Sequence, residues 1–155
     1  MSIGTKQMEY IMNLVMDEVD IAINEGNAPF AAFLLDKDGN IIFKSHNTTN
    51  SDINPTAHAE INLIKIACKQ LKQKDLSEYI LISNAESCSM CMSAAIKAKI
   101  TNYIFGAPSE ANMNPNITIY DIKEKTKQPL NIITGILKEK CKIQIKEARQ
   151  KSANN

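Results

Sequence analysis

Two short motifs constrain this chain more than any other feature: His58-Ala59-Glu60 and, thirty residues after His58, Cys88-Ser89-Met90-Cys91. An imidazole and two thiols suit zinc, and a set of three protein ligands leaves a fourth coordination position open, which a structural zinc site normally closes with a fourth side chain. The Glu60 carboxylate, two residues beyond the histidine, is placed to carry a proton for a water in that position. The fold therefore has to bring residues 58, 60, 88 and 91 to one point. Each motif opens a predicted helix, and successive crossover helices on one face of a sheet can place their N-termini side by side. Residues three apart share a helix face, so Cys88 and Cys91 can reach one metal. The positive ends of both helix dipoles favour thiolates there.

The surrounding pattern fits that requirement. Met8, Ile11, Met12, Val15, Val19, Ala22 and Ile23 follow helical spacing, and Gly26 stands where the helix ends. Pro29 to Leu35 reads as a buried strand, Asp36 to Asn40 as a turn, and Ile41 to Ser45 as the return strand of a hairpin. Residues 47–54 are too polar for core. Pro55-Thr56 is expected to open a helix with the stripe Ile61, Ile64, Cys68 and Leu71. Strands are expected at Tyr79–Ser83, Asn102–Gly106 and Asn131–Leu137, and helices at Cys88–Lys99, Thr118–Lys125 and Cys141–Lys151, with a loop from Pro108 to Asn116. Strand–helix alternation after an opening hairpin predicts an α/β fold: a three-layer α/β/α domain with a five-stranded mixed sheet and helices on both faces.

At 155 residues, with 44% hydrophobic and 23% charged residues, a single globular domain over 1–155 is expected. No apolar run is long enough to span a membrane, and no basic segment leads into an apolar one at the N-terminus, so no secretory signal is expected. Four cysteines in such a chain read as thiols of a reducing, cytoplasmic compartment. Cys68 and Cys141 lack metal spacing, and Cys68, on the apolar face of its predicted helix, is read as a small core residue. A net charge of +1 neither demands nor excludes a polyanionic partner.

The pattern H-x-E followed by C-x-x-C is that of zinc nucleobase deaminases. Asn54-Pro55-Thr56-Ala57-His58-Ala59-Glu60-Ile61 and Cys88-Ser89-Met90-Cys91 resemble the two motifs of the cytidine deaminase-like zinc deaminases, and within them the guanine deaminases most. Pro29-Phe30, His46-Asn47 and Ile66-Ala67-Cys68-Lys69 share the resemblance, which runs from about Met8 to Ala107. It implies that His58, Cys88 and Cys91 hold Zn2+ and that Glu60 is the proton shuttle. It also implies that Asn47, Phe30 and Ala59 contact the base, with Asn47 hydrogen-bonding it and Phe30 walling the pocket. The implied activity is hydrolytic deamination of a nucleobase or nucleoside with release of ammonia, in a homodimer.

Three positions depart from the family pattern. Ser87 stands where the family has proline, and serine can cap a helix instead. No Asp precedes Asp121 in the segment where guanine deaminases carry a purine-reading aspartate, and Asn116 or a neighbour falls there. The C-terminal residues Gln150 to Asn155 are polar rather than aromatic. The expected substrate is therefore a small base or nucleoside other than guanine, or a broad set. Bland readings stand beside the functional ones: Asn47 as a turn former, Phe30 as a core aromatic, and His46 as a solvent-facing side chain. A tRNA adenosine-to-inosine deaminase is the alternative, supported by the five Lys and one Arg of Lys138–Lys151. A non-catalytic, zinc-stabilised module is the third reading.

Overall fold

The computed structural model describes residues 1–153. The first helix, α1 (Thr5–Asn24), buries Met8, Ile11, Met12, Val15, Val19 and Ala22. It ends where Gly26 adopts φ +81, a left-handed conformation that glycine accepts without steric cost. Strand β1 (Ala31–Leu35) pairs antiparallel with β2 (Ile41–His46). Between them Asp36 accepts the backbone N–H groups of Asp38 and Asn40, each at 2.9 Å, which closes the turn.

All five β1 residues are buried because both faces of the strand are covered. Phe33 and Leu35 face the side that packs on α1, and Ala32 and Leu34 the side that packs on α2 (Ala59–Leu71). Strand β3 (Ile80–Ala85) lies antiparallel to β1 and parallel to β4 (Asn102–Ala107), which in turn runs parallel to β5 (Asn131–Ile133). The sheet order is β2-β1-β3-β4-β5. Helix α3 (Ser89–Lys97) and α4 (Ile119–Lys125) join α2 on one face, while α5 (Lys138–Ala153) joins α1 on the other. The three-layer mixed α/β fold expected from the strand–helix alternation is the fold observed. No helix among the described residues is long and apolar enough to cross a membrane.

Four expectations are corrected in detail. Helix α2 begins at Ala59, not at Pro55-Thr56. The Asn54 side chain accepts the N–H and hydroxyl of Thr56, at 2.9 and 2.8 Å, and holds that stretch in a turn. The buried face of α2 is Ala59, Glu60, Leu63 and Ala67, so Ile61, Ile64, Cys68 and Leu71 are a half-buried flank. Two alanines on the inner face allow the helix to approach the sheet closely, and this leaves Cys68 at the edge of the core. Strand β5 stops at Ile133 because Gly135, at φ +82, turns the chain away. The terminal helix starts at Lys138, one turn earlier than its apolar pattern suggests. Of the polar segment Gln150 to Asn155, residues 154–155 lie outside the described residues.

Candidate active site

His58 and Cys88 hold equivalent places. Each is the N-cap residue of its helix, α2 and α3 respectively, with extended backbone at φ −68, ψ 156 and φ −69, ψ 169. They therefore sit just before the first turn rather than within it, while Glu60 and Cys91 lie inside it. An N-cap side chain ordinarily accepts a hydrogen bond from the first-turn N–H groups. Neither of these does so, and the side chains turn toward each other instead. His58 Nδ1 lies 3.6 Å from Cys88 Sγ and 3.4 Å from Cys91 Sγ.

These spacings can be compared with what a metal requires. A tetrahedral zinc with bonds of about 2.0–2.1 Å to nitrogen and about 2.3 Å to sulfur puts its N and S ligands about 3.5–3.6 Å apart. The three ligand atoms lie within 4.8 Å of one another, and among the described residues no fourth His, Cys, Asp or Glu joins the group. The donor set fits zinc with one position left for water or substrate. The electrostatics agree. A hydrogen bond with Cys91, and another with His58, hold the Cys88 thiol down to about 4 despite its burial. Contact with Cys88 raises the His58 imidazole above its ordinary value. The Cys91 thiol is pushed up by its hydrogen bond to Cys88 and by burial, so Cys88 ionises first.

Glu60 is 6% exposed. Burial raises its carboxyl above the usual carboxylate range, and a hydrogen bond from Ser87 opposes that rise. Ser87 Oγ donates to Glu60 Oε2 at 2.7 Å. Ser87 therefore does not cap α3, as its sequence position suggests: Cys88 occupies the cap position, and the serine hydroxyl is directed to Glu60.

His58, Glu60 and Cys88 line a cavity of about 480 Å³ whose wall also includes Phe30, Asn47 and Arg149. That size suits a base or nucleoside. Asn47 is 3% exposed. Its Oδ1 accepts the N–H and hydroxyl of Thr49 at 3.0 and 2.8 Å, and its own N–H donates to the Phe30 carbonyl. The side chain is thus both a turn former and a cavity residue, with Nδ2 left as a donor. Phe30 contacts the cavity and packs against both cores. Ala59 does not line the cavity, and its side chain is fully buried in the core beneath α2. His46 is not solvent-facing: it sits half-buried between Glu18, at 2.6 Å, and Glu25, at 3.1 Å. Asn116 is exposed and outside the cavity wall, and Asp121 forms a capping box with Thr118 at the start of α4.

Sequence reasoning missed several residues that build this site. Asn84 is fully buried, accepts from the Ala31 N–H and donates to the Pro29 carbonyl, each at 3.0 Å, and so fixes the segment carrying Phe30. Asn27 accepts from the N–H groups of Asn50 and Ser51 and ties the 47–54 loop to the end of α1. Arg149 grips Glu110 through Nε and Nη2, at 3.2 and 2.9 Å, with its guanidinium 5.3 Å from the Phe30 ring centroid. A signal for Arg149 existed. Cys141, Ile145 and Arg149 are spaced four apart, so the arginine continues the inward stripe of α5.

Comparison with known proteins agrees with this geometry. Residues 5–107 match the model of the cytidine and deoxycytidylate deaminase zinc-binding region. A tRNA-specific adenosine deaminase of Aquifex aeolicus is 37% identical over 99 residues, 64% of this chain and 65% of that protein's own length. A guanine deaminase of Bacillus subtilis is 40% identical over 78 residues, 50% of this chain and 49% of its own. A solved structure from a study of A-to-I editing by tRNA:A34 deaminases superposes with a TM-score of 0.77 at 26% identity, covering 87% of this chain and 98% of its own.

Proposed function

Since the chain belongs to the family defined by the cytidine and deoxycytidylate deaminase zinc-binding region, we propose that it hydrolyses the exocyclic amino group of a small purine or pyrimidine, free or as its nucleoside. The observation that carries this reading is a buried carboxylate, Glu60, lining the same cavity as His58 and Cys88, which with the buried Cys91 form a group that leaves one metal position open. Zinc bound there supplies a Lewis acid that makes water acidic near neutral pH.

The chain's own residues account for the proton movements. Glu60 takes a proton from the attacking water while the water oxygen bonds to the amino-bearing carbon. It delivers that proton to the adjacent ring nitrogen. After the second water proton passes to the amine, the C–N bond breaks, giving a carbonyl-bearing base and ammonia. Asn47 Nδ2 donates to an acceptor on the base, and Phe30 covers a ring face. Four cysteines with no disulfide among them fit a reducing compartment such as the cytoplasm.

The cavity's polar groups argue against guanine as the preferred base. Both Glu110 oxygens are taken by Arg149, and Glu86 Oε2 accepts from Thr134 at 2.7 Å. Beyond Glu60, guanine's ring N–H and amino group would find only Glu86 Oε1 without a side-chain partner among the cavity carboxylates, and each donor left poorly paired costs about 1–3 kcal/mol. Steady-state ammonia release from guanine, adenine, cytosine and their nucleosides tests this. Turnover of a non-guanine base, or broad turnover, is expected. A hundredfold preference for guanine would overturn the specificity reading, and silence across the panel and on RNA would leave a non-catalytic module.

A second reading has its own support. The Aquifex relative acts, by its name, on tRNA adenosine, and α5 is rich in lysine. Salt-sensitive binding and deamination of an anticodon stem-loop, with no turnover of free bases, would favour it over the small substrate.

A further inference from the structure

One contact in the site has no part in those proton movements, the hydrogen bond from Ser87 to Glu60. Ser87 is 3% exposed and immediately precedes the N-cap of α3, whereas Glu60 lies in the first turn of α2. Their contact of 2.7 Å joins residues 27 apart in sequence and bridges the two motif-bearing helices. Among the described residues, Ser87 is the one side chain whose hydroxyl or amide donates to Glu60. A proline here would fix the backbone but offer neither an O–H nor an N–H. The serine adds a function that the ring lacks.

We propose that Ser87 is a positioning residue for the reaction: by holding Glu60 Oε2 it leaves Oε1 as the oxygen that exchanges protons in the cavity. A carboxylate that shuttles protons must present one oxygen repeatedly along the same path. A buried Glu side chain with no partner can rotate about its terminal torsion, which is broad and two-fold, and either oxygen can then drift out of line. The hydroxyl removes that freedom by fixing Oε2. Because the donor stands on the other helix start, the carboxylate is oriented before metal or substrate arrives.

This rests on the deaminase reading, and the test separates the two. Ser87→Ala, Ser87→Val and Ser87→Thr are compared at equal zinc content in steady-state ammonia release. Thr and Val have nearly the same shape and differ in the hydroxyl. Ala and Val should lose about 10- to 100-fold in kcat, the loss of a hydrogen bond to a charged group, with KM little changed. Thr should restore most of the turnover. The second readout is the infrared carboxylate stretch of Glu60, assigned by difference against Glu60→Gln in both zinc-free and zinc-loaded protein. It should shift in Ala and Val and return in Thr.

Unchanged kcat in a folded Val variant, or a carboxylate band indifferent to residue 87, would overturn the proposal. If Ala and Val both fail to fold, the wild-type band decides alone, since the frequency of a carboxylate without a hydroxyl donor would contradict it. Absence of ammonia release from the wild type sinks the deaminase reading, and the infrared arm still decides whether Ser87 orients Glu60.

Discussion

At the scale of single residues, the chemistry was legible wherever a side chain has few alternative uses. A histidine, two cysteines and a carboxylate at fixed spacing point to one centre, and His58, Cys88 and Cys91 do converge. Glu60→Gln should keep the fold and about one zinc per chain, measured by metal analysis, while turnover falls by ~10²–10⁴. A variant retaining more than about a tenth of wild-type activity, well outside that range, would remove Glu60 from the mechanism. Hydrogen bonds of versatile residues were not legible. Ser87, Asn84 and Asn27 each have many possible partners, and which one each takes depends on chain segments far apart in sequence. His46 shows the same limit, because nothing local announces Glu18 or Glu25. Burial lowers the His46 imidazole, but hydrogen bonds to Glu18 and Glu25 outweigh it and raise the group above 6.5. The charged form is the one the fold favours, so its contribution is complete below 6.5 and fades as pH climbs through the raised value. The Tm difference between wild type and His46→Gln, followed by thermal melts, should be largest near pH 6 and shrink toward pH 9; a difference that grows with pH would contradict the pairing.

At the scale of elements, periodicity located the helices and strands while the ends went to turn chemistry and packing. The α2 stripe was displaced because the helix presents its small residues, Ala59 and Ala67, to the sheet. Small residues carry little hydrophobic signal, so a search for large apolar side chains selects the flank. The same economy of space governs the contact between β4 and α5. A Cβ added at Gly106 would stand 2.6 Å from Cys141 Sγ and 2.7 Å from the Asn84 carbonyl oxygen. Gly106→Ala should therefore destabilise by about 1–3 kcal/mol, read as a lower Tm. Adding Cys141→Ala relieves the sulfur contact but not the carbonyl, so rescue should be partial. Full rescue by that second change would show that the backbone contact is harmless.

At the scale of the whole molecule, strand–helix alternation revealed the layers, but sequence alone could not give the strand order β2-β1-β3-β4-β5. That order places β3 at the centre, flanked by β1 and β4, and the two motif helices lie on one face. The half-buried flank of α2 (Ile61, Ile64, Cys68 and Leu71) is a partly open apolar strip that we propose a second copy of the chain covers. Sedimentation at micromolar concentration should find a dimer, and a monomer there would contradict this. Arg149 has a consequence in time rather than space. It comes from the last helix yet stands in the same wall as Phe30, which is made nearly 120 residues earlier. The residues of α1 to α4 and of the whole sheet are all made before α5 begins at Lys138. A nascent chain stalled before residue 149 would carry both motifs and no finished pocket.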